Sequence, residues 1–219
     1  MQRRQLILGG GALAALSITP GRAWAGAQLY EPLSASVQAA LYEAISDHVA
    51  PHLVFPDEAQ ARDWLADMSQ RLTRKIPSPV ERQDFLVSAQ YEAKRAGLDP
   101  QLVLGLIQVE SNFRKYAVSR AGARGYMQVM PFWVKLIGRP SDNLFSLRTN
   151  LRYGCVILRH YLAIENGNVF RALGRYNGSL GQAEYPNLVL RAWQGHWQVA
   201  AGTAASPAVA GPISGGAGR

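Results

Sequence analysis

The hexapeptide QVESNF spans residues 108–113 and follows the apolar run LVLGLI, which leaves Glu110 as an acid at the end of a hydrophobic stretch. On a helix, Leu106 and Ile107 stand four and three positions before Glu110 and share its face. Phe113 and Met127 could close over the same spot. Apolar surroundings disfavour an ionised carboxyl, and so does the partial negative charge at a helix C-terminus. A rise in pKa from about 4.3 into the 6–7 range costs the ionised form roughly 3 kcal/mol, at about 1.4 kcal/mol per unit. A carboxyl kept protonated near neutral pH is a general acid. Read alone, the hexapeptide favours a plainer alternative, a glutamate pointing to water at a fraying helix end. Its neighbours along the chain change that.

Other reactive groups offer less. Cys155 is the single cysteine, so no internal disulfide can form, and its setting in YGCVILRHYL reads as buried packing. The histidines are scattered at 48, 52, 160 and 196. His48 and His52 have an i, i+4 spacing that could hold a metal, but Pro51 interrupts that helix and there is no HExxH pattern. We therefore expect no metal and no cofactor. After Glu110 the remaining acids are Asp142, Glu165 and Glu184. Asp142 reads as a turn cap, Glu165 as a helix end and Glu184 as part of a loop. Most glycosidases use two carboxyl groups, and no motif here marks a second one.

The elements that must position Glu110 follow from periodicity and punctuation. Residues 34 to about 50 predict a helix with Val37, Leu41 and Ile45 on one face, ended by Pro51. Asp57 caps a second helix carrying the stripe Trp64, Met68 and Leu72, which reads as a docking face. After IPSPV, a helix over about 80–96 ends at Gly97. Asp99 and Pro100 then form an N-cap and first turn for the helix that reaches Glu110. A glycine-rich connection, SRAGARGYMQVMP, follows, with Pro131 stopping any short helix inside it. Further helices are predicted over about 147–164, from about 169 into RYNGS, and across YPNLVLRAW. No alternating strand pattern appears. The fold class expected is mainly α.

Both ends of the chain read differently from this core. Residues 1–25 have Arg3 and Arg4, an apolar run over 6–18 and the small-x-small triplet Ala23, Trp24, Ala25, the grammar of a secretory signal peptide cleaved near Ala25. The apolar run is too short for a comfortable membrane span, so no stable membrane anchor is expected. The arginine pair fits either the general or the twin-arginine export route. Residues 200–219 are small, Gly/Pro-rich and free of aromatics, and are expected to be disordered. The division expected is a leader at 1–25, a helical segment at 26–78, the main domain at 79–199 and a tail. Cleavage removes three arginines and takes the formal charge of +8 down to +5. A basic exported protein suits anionic lipid or cell-wall polymer. A nucleic-acid partner is not expected, because no basic recognition helix or aromatic–basic motif is present.

QVESNF, GARGYMQVMP, NLRYGCVILRHYL and RYNGS occur in that order. Together they resemble the soluble lytic transglycosylases (the SLT catalytic domain of glycoside hydrolase family 23), whose motifs are similar to those of goose-type lysozymes. The resemblance covers roughly residues 80–193 and implies a lysozyme-like helical domain acting on peptidoglycan glycan strands. Carried over, it makes Glu110 the catalytic acid and base and has Ser111 hold its carboxyl. Gly125, Met127 and Gln128 become the floor and polar wall of a sugar cleft. Tyr176 and Asn177 become the opposite wall, with the phenol turned toward Glu110 or the developing charge. The family also implies cleavage between N-acetylmuramic acid and N-acetylglucosamine with closure of a 1,6-anhydro ring, which a single acid can serve. Tyr126, Arg175 and the pair Gly178 and Ser179 depart from the usual motifs, and none of them removes a group this chemistry needs. A lysozyme-type hydrolase and a non-catalytic wall-binding protein remain the alternatives.

Overall fold

The computed structural model describes residues 28–46 and 49–199. The expected leader, His48 and the expected tail lie outside the described residues. Helices α1 (Ala35–Ile45), α2 (Glu58–Leu72), α3 (Pro79–Arg95), α4 (Pro100–Ser111), α5 (Phe132–Ile137), α6 (Leu147–Ile164), α7 (Val169–Asn177) and α8 (Glu184–Ala192) are closed by a π-helical turn at Trp193–Trp197. Two isolated bridges, Val118 with Arg124 and Arg124 with Val129, are the only strand-like pairing among the described residues. The mainly α expectation holds.

Helix α4 is central. Leu102, Val103, Leu104, Leu106 and Ile107 are all buried, so it is apolar on nearly every side, as a core helix must be. Helices α3 and α8 and the π turn pack on it, and α6 joins α3 to α7. Asp99 caps α4 through the Gln101 amide at 2.7 Å, with Pro100 in the first turn. The stripes of α1 and α2 are not free surface. Leu41, Ile45, Trp64, Met68 and Leu72 bury into the same apolar core as the later helices.

One buried charge organises this packing. Glu92 on α3 is fully buried and accepts from Arg95 at 3.0 Å, Arg148 at 3.2 Å and Arg152 at 3.2 Å. Three guanidinium groups compensate one carboxylate, which is what a buried charge requires. Arg95 and Arg152 also bond the Ala44 and Ile45 carbonyls, at 2.5 and 3.0 Å. Those bonds cap α1 at its last turn. The helix therefore stops at Ile45, short of the boundary near residue 50 predicted from Pro51.

The other departure is α5. The connection before Pro131 holds no helix, but a short one that the sequence reading did not predict begins immediately after it, with Pro131 at φ −60. A proline's fixed φ suits a helix start, and its missing N–H would be unpaired there anyway.

Candidate active site

Glu110 lies in the last turn of α4 and is 5 % exposed. The helix does not fray beyond it. Asn112 and Phe113 both take left-handed backbone, φ 51 and 63, and turn the chain sharply. The Phe113 ring then buries against Phe85 and Trp197, with centroids 5.7 and 5.4 Å away. This turn seals the helix end and keeps Glu110 inside.

A polar partner comes from α8. The Tyr185 phenol, fully buried, donates to Glu110 Oε1 at 2.5 Å. Burial, then the Glu110 charge, then this hydrogen bond push the phenol's pKa well above its ordinary value. Tyr185 therefore stays an O–H donor. Two influences oppose each other on the carboxyl: burial penalises its ionised form, and the donated hydrogen bond favours it. Sequence reasoning did not single out Tyr185. The available signal was a tyrosine in an apolar helix, whose buried hydroxyl needs a partner. The partner itself, 75 positions upstream, carries no local mark.

The Ser111 hydroxyl has a different partner from the one expected. It donates to the Ile107 carbonyl, one turn back, at 3.2 Å. This is the usual resort of a serine within a helix.

The loop at 124–130 is built from within. Gly125 has φ +76, and a Cβ there would fall 2.4 Å from Asn150 Nδ2 and 2.6 Å from the Leu144 carbonyl. Asn150 fills that space. Its amide donates to the Arg124 and Leu144 carbonyls, both at 2.8 Å, and accepts from the Met127 N–H at 2.8 Å. Met127 is fully buried against Gly154 of α6. Gln128, 1 % exposed at φ 49, turns its amide inward and donates to the Gly125 and Ala117 carbonyls at 2.8 and 3.1 Å. It braces the loop, whereas the motif implied a polar wall facing sugar.

Tyr176 on α7 is fully buried, and its phenol donates to the Met127 carbonyl at 2.7 Å. The hydrogen is thus committed to the loop and not to Glu110. Burial first and the Glu110 charge second raise the phenol's pKa. Asn177 is buried at the end of α7, where Gly178 turns left-handed. Met127, Gln128 and Tyr176 thus join in one hydrogen-bonded unit, and the electrostatic influence of Glu110 reaches Tyr176.

The remaining late acids have other duties. Asp142 accepts from the Tyr153 phenol at 2.6 Å and the Arg139 amide at 3.0 Å. Glu165 is bound by Arg171 and by Arg175, the latter at 2.7 Å, which holds its carboxyl below the usual range. Glu184 is exposed and lines a surface hollow with Asn187, Leu188 and Arg191. Among the described residues no cluster of His, Cys, Asp or Glu could hold a metal ion. No described helix is long and apolar enough to cross a membrane.

Residues 88–187 match the family described as the transglycosylase SLT domain. The chain is 38 % identical over 98 residues to a transglycosylase of Enterobacteria phage PRD1, covering 45 % of this chain and 34 % of that one. It is 35 % identical over 118 residues to a membrane-bound lytic murein transglycosylase C of Mannheimia succiniciproducens, covering 47 % of this chain and 33 % of the relative. Among solved structures, an inactive mutant of the lytic transglycosylase Slt from Pseudomonas aeruginosa superposes with a TM-score of 0.42 at 22 % identity, over 62 % of this chain and 28 % of that one. The chain spans about a third of the length of the curated relatives it matches.

Proposed function

We propose that this chain is an exported peptidoglycan lytic transglycosylase that cleaves the bond between N-acetylmuramic acid and N-acetylglucosamine. The observation that carries the reading is Glu110, a carboxyl sealed in the last turn of the central helix and held by the Tyr185 phenol. It lies inside the span matching the SLT domain. The relatives' names supply the substrate class. The leader read at residues 1–25 supports action outside the cytoplasm, in the periplasm or an equivalent space.

In this reading Glu110 donates its proton to the glycosidic oxygen as the bond to the anomeric carbon breaks. The sugar's own N-acetyl group stabilises the positive charge left there. Glu110, now a carboxylate, takes the proton of the same sugar's 6-hydroxyl, and that oxygen closes the 1,6-anhydro ring. One carboxyl serves both steps and no water is consumed. Asp142 and Glu165 are tied up in other pairs and Glu184 is exposed, which favours a one-carboxyl route over hydrolysis. The tethered hydroxyl also gains the large advantage of intramolecular attack. Tyr185 and Tyr176 support the acid and the loop, while Gly125, Met127, Gln128 and Asn177 shape the cleft. Helices α1 and α2 brace the domain.

Mass analysis of sugars released from purified cell wall tests this. The expected muropeptides carry 1,6-anhydro ends, lighter by one water than hydrolysis products and lacking a reducing end. A digest dominated by reducing muramic acid would make the chain a lysozyme-type hydrolase.

A further inference from the structure

Trp193–Trp197 forms a π turn at the end of α8, closed by the Gln198 N–H on the Trp193 carbonyl at 3.0 Å. Such turns are rare and cluster at functional sites. This one packs along the central helix α4 and lies outside the 88–187 span that matches the SLT domain. Its backbone seats on Gly105, where a Cβ would fall 2.9 Å from the Trp193 nitrogen. Its two indoles bond the two ends of α4. Trp193 Nε1 donates to Asp99, the N-cap, at 3.2 Å, and Trp197 Nε1 donates to Gln108 Oε1 at 2.7 Å.

The Trp197 end meets the turn that closes the helix of Glu110. Trp197 is 1 % exposed, and its ring packs on Phe113 with centroids 5.4 Å apart. Asn112 and Phe113 both hold left-handed backbone, at φ 51 and 63. That conformation crowds Cβ against a carbonyl, so a phenylalanine keeps it only while its surroundings pin it. Phe85 and Trp197 supply the pin. Without it the turn relaxes, the last turn of α4 frays, and Glu110 loses its placement.

The π turn is itself held by the N-terminal segment. The last carbonyls of a helical run lack partners within it, and a cation there is favoured by the backbone dipole. Arg71 on α2 meets both needs. Its Nη1 donates to the His196 carbonyl and, at 3.2 Å, to the Gln198 carbonyl. These carbonyls flank Trp197. Asp67 holds the guanidinium with two bonds, at 2.7 and 2.8 Å. We infer that Arg71 is a positioning residue for Glu110: it fixes the backbone on both sides of Trp197, and Trp197 pins the strained turn that ends the acid's helix. This inference rests on the reading of Glu110 as the acid. It gives the segment before the SLT span a part in the reaction without a contact to substrate. A reacting group misplaced by about 1 Å can cost about 10²-fold in rate, so a small relaxation is enough.

Hydrogen exchange over residues 106–116 and steady-state cleavage of a soluble glycan, both on the purified chain, test this. Arg71→Ala is expected to speed exchange in this stretch about 3- to 10-fold and to lower kcat by a similar factor with KM unchanged, as hydrogen bonds from one charged donor are lost. Arg71→Lys keeps a donor for the carbonyls and should recover part of both. Trp197→Leu removes the ring and should exceed Arg71→Ala in both readouts. Adding Arg71→Ala to it should change neither further, because Arg71 acts through the indole. If Trp197→Leu does not fold, Trp197→Phe, which keeps a ring and loses the N–H, takes its place in the pair. Leu41→Ala, a core truncation on α1, should lower the melting temperature and leave exchange and kcat in place. A lower melting temperature for Arg71→Ala with exchange and kcat unmoved would make Arg71 a plain brace and overturn the proposal. Effects of the two single variants that multiply in the double variant overturn it as well. A wild type that releases no muropeptides from wall sinks the enzymatic reading instead, and the exchange contrast still decides the linkage.

Discussion

Tyr185 donates a 2.5 Å hydrogen bond to Glu110, joining the first turn of α8 to the last turn of α4. The phenol's own ionisation is pushed far up by burial and by the Glu110 charge, so it remains a donor across the working range. Tyr185→Phe keeps the ring and removes the donor. A hydrogen bond to a charged group is worth about 1.5–3 kcal/mol, and about 1.4 kcal/mol corresponds to one pH unit. The Glu110 ionisation seen in the pH–rate profile should therefore move about 1–2 units upward, carrying the fall-off of the rate at high pH with it. The check is the pH dependence of cleavage of a soluble glycan. A profile that stays in place, with only the melting temperature lowered, would make Tyr185 a packing residue.

Glu110→Gln is nearly isosteric, and its amide oxygen can still accept from Tyr185. The fold and the binding of glycan strands should survive. Cleavage should fall by about 10²–10⁴-fold, the usual worth of general acid–base catalysis, because an amide cannot donate the proton. Activity is measured on samples matched for melting temperature and pulled down equally by insoluble wall. Substantial turnover by such a sample ends the assignment of Glu110.

Glu165 gives a stability prediction with a definite sign. Hydrogen bonds from Arg171 and then Arg175 lower its pKa in the folded state. The stability this contributes is complete above the unfolded value near 4.3 and is lost as pH falls through the lower folded value. Glu165→Gln should melt below wild type at pH 7, and the gap should close as pH drops from about 5 to below 3. The Arg171 side chain is half exposed, so solvent screening keeps the effect modest. A gap that is constant across this range would show that the loss comes from shape rather than charge.

The backbone plan was largely legible in the sequence because caps and breakers are local. Asp57, Asp99 and the span 147–164 are placed as predicted. Glu110 was legible because an acid after LVLGLI breaks an apolar run. What stayed hidden was long-range pairing. Nothing near Glu92 announces that Arg148 and Arg152, 56 and 60 positions on, will neutralise it. Nothing near Arg71 points to His196. The motifs around Gln128 and Tyr176 flagged positions but not duties. Their side chains bond loop carbonyls, and such partners follow from backbone geometry, which residue types alone do not encode.

Gly154 tests how the loop is held. A Cβ at this position would fall 2.3 Å from Met127 Sδ and 2.7 Å from both Met127 Cβ and Cε. The thioether end can swing aside, but the Met127 Cβ can move only with its backbone. That backbone is fixed at both polar groups. Its N–H donates to Asn150, and its carbonyl accepts from Tyr176. Gly154→Ala must therefore shift the loop or strain both bonds, a cost of about 1–3 kcal/mol typical of an overpacked core. Cleavage should fall along with the melting temperature, because the same loop carries Gln128. Adding Met127→Ala removes the contacts to Sδ and Cε but not the one to Cβ. The double variant should therefore destabilise less than the two single effects added together, with thermal melts of all four proteins as the measurement. Strict additivity would mean that Met127 does not lie on Gly154 and that α6 is not what seats the loop.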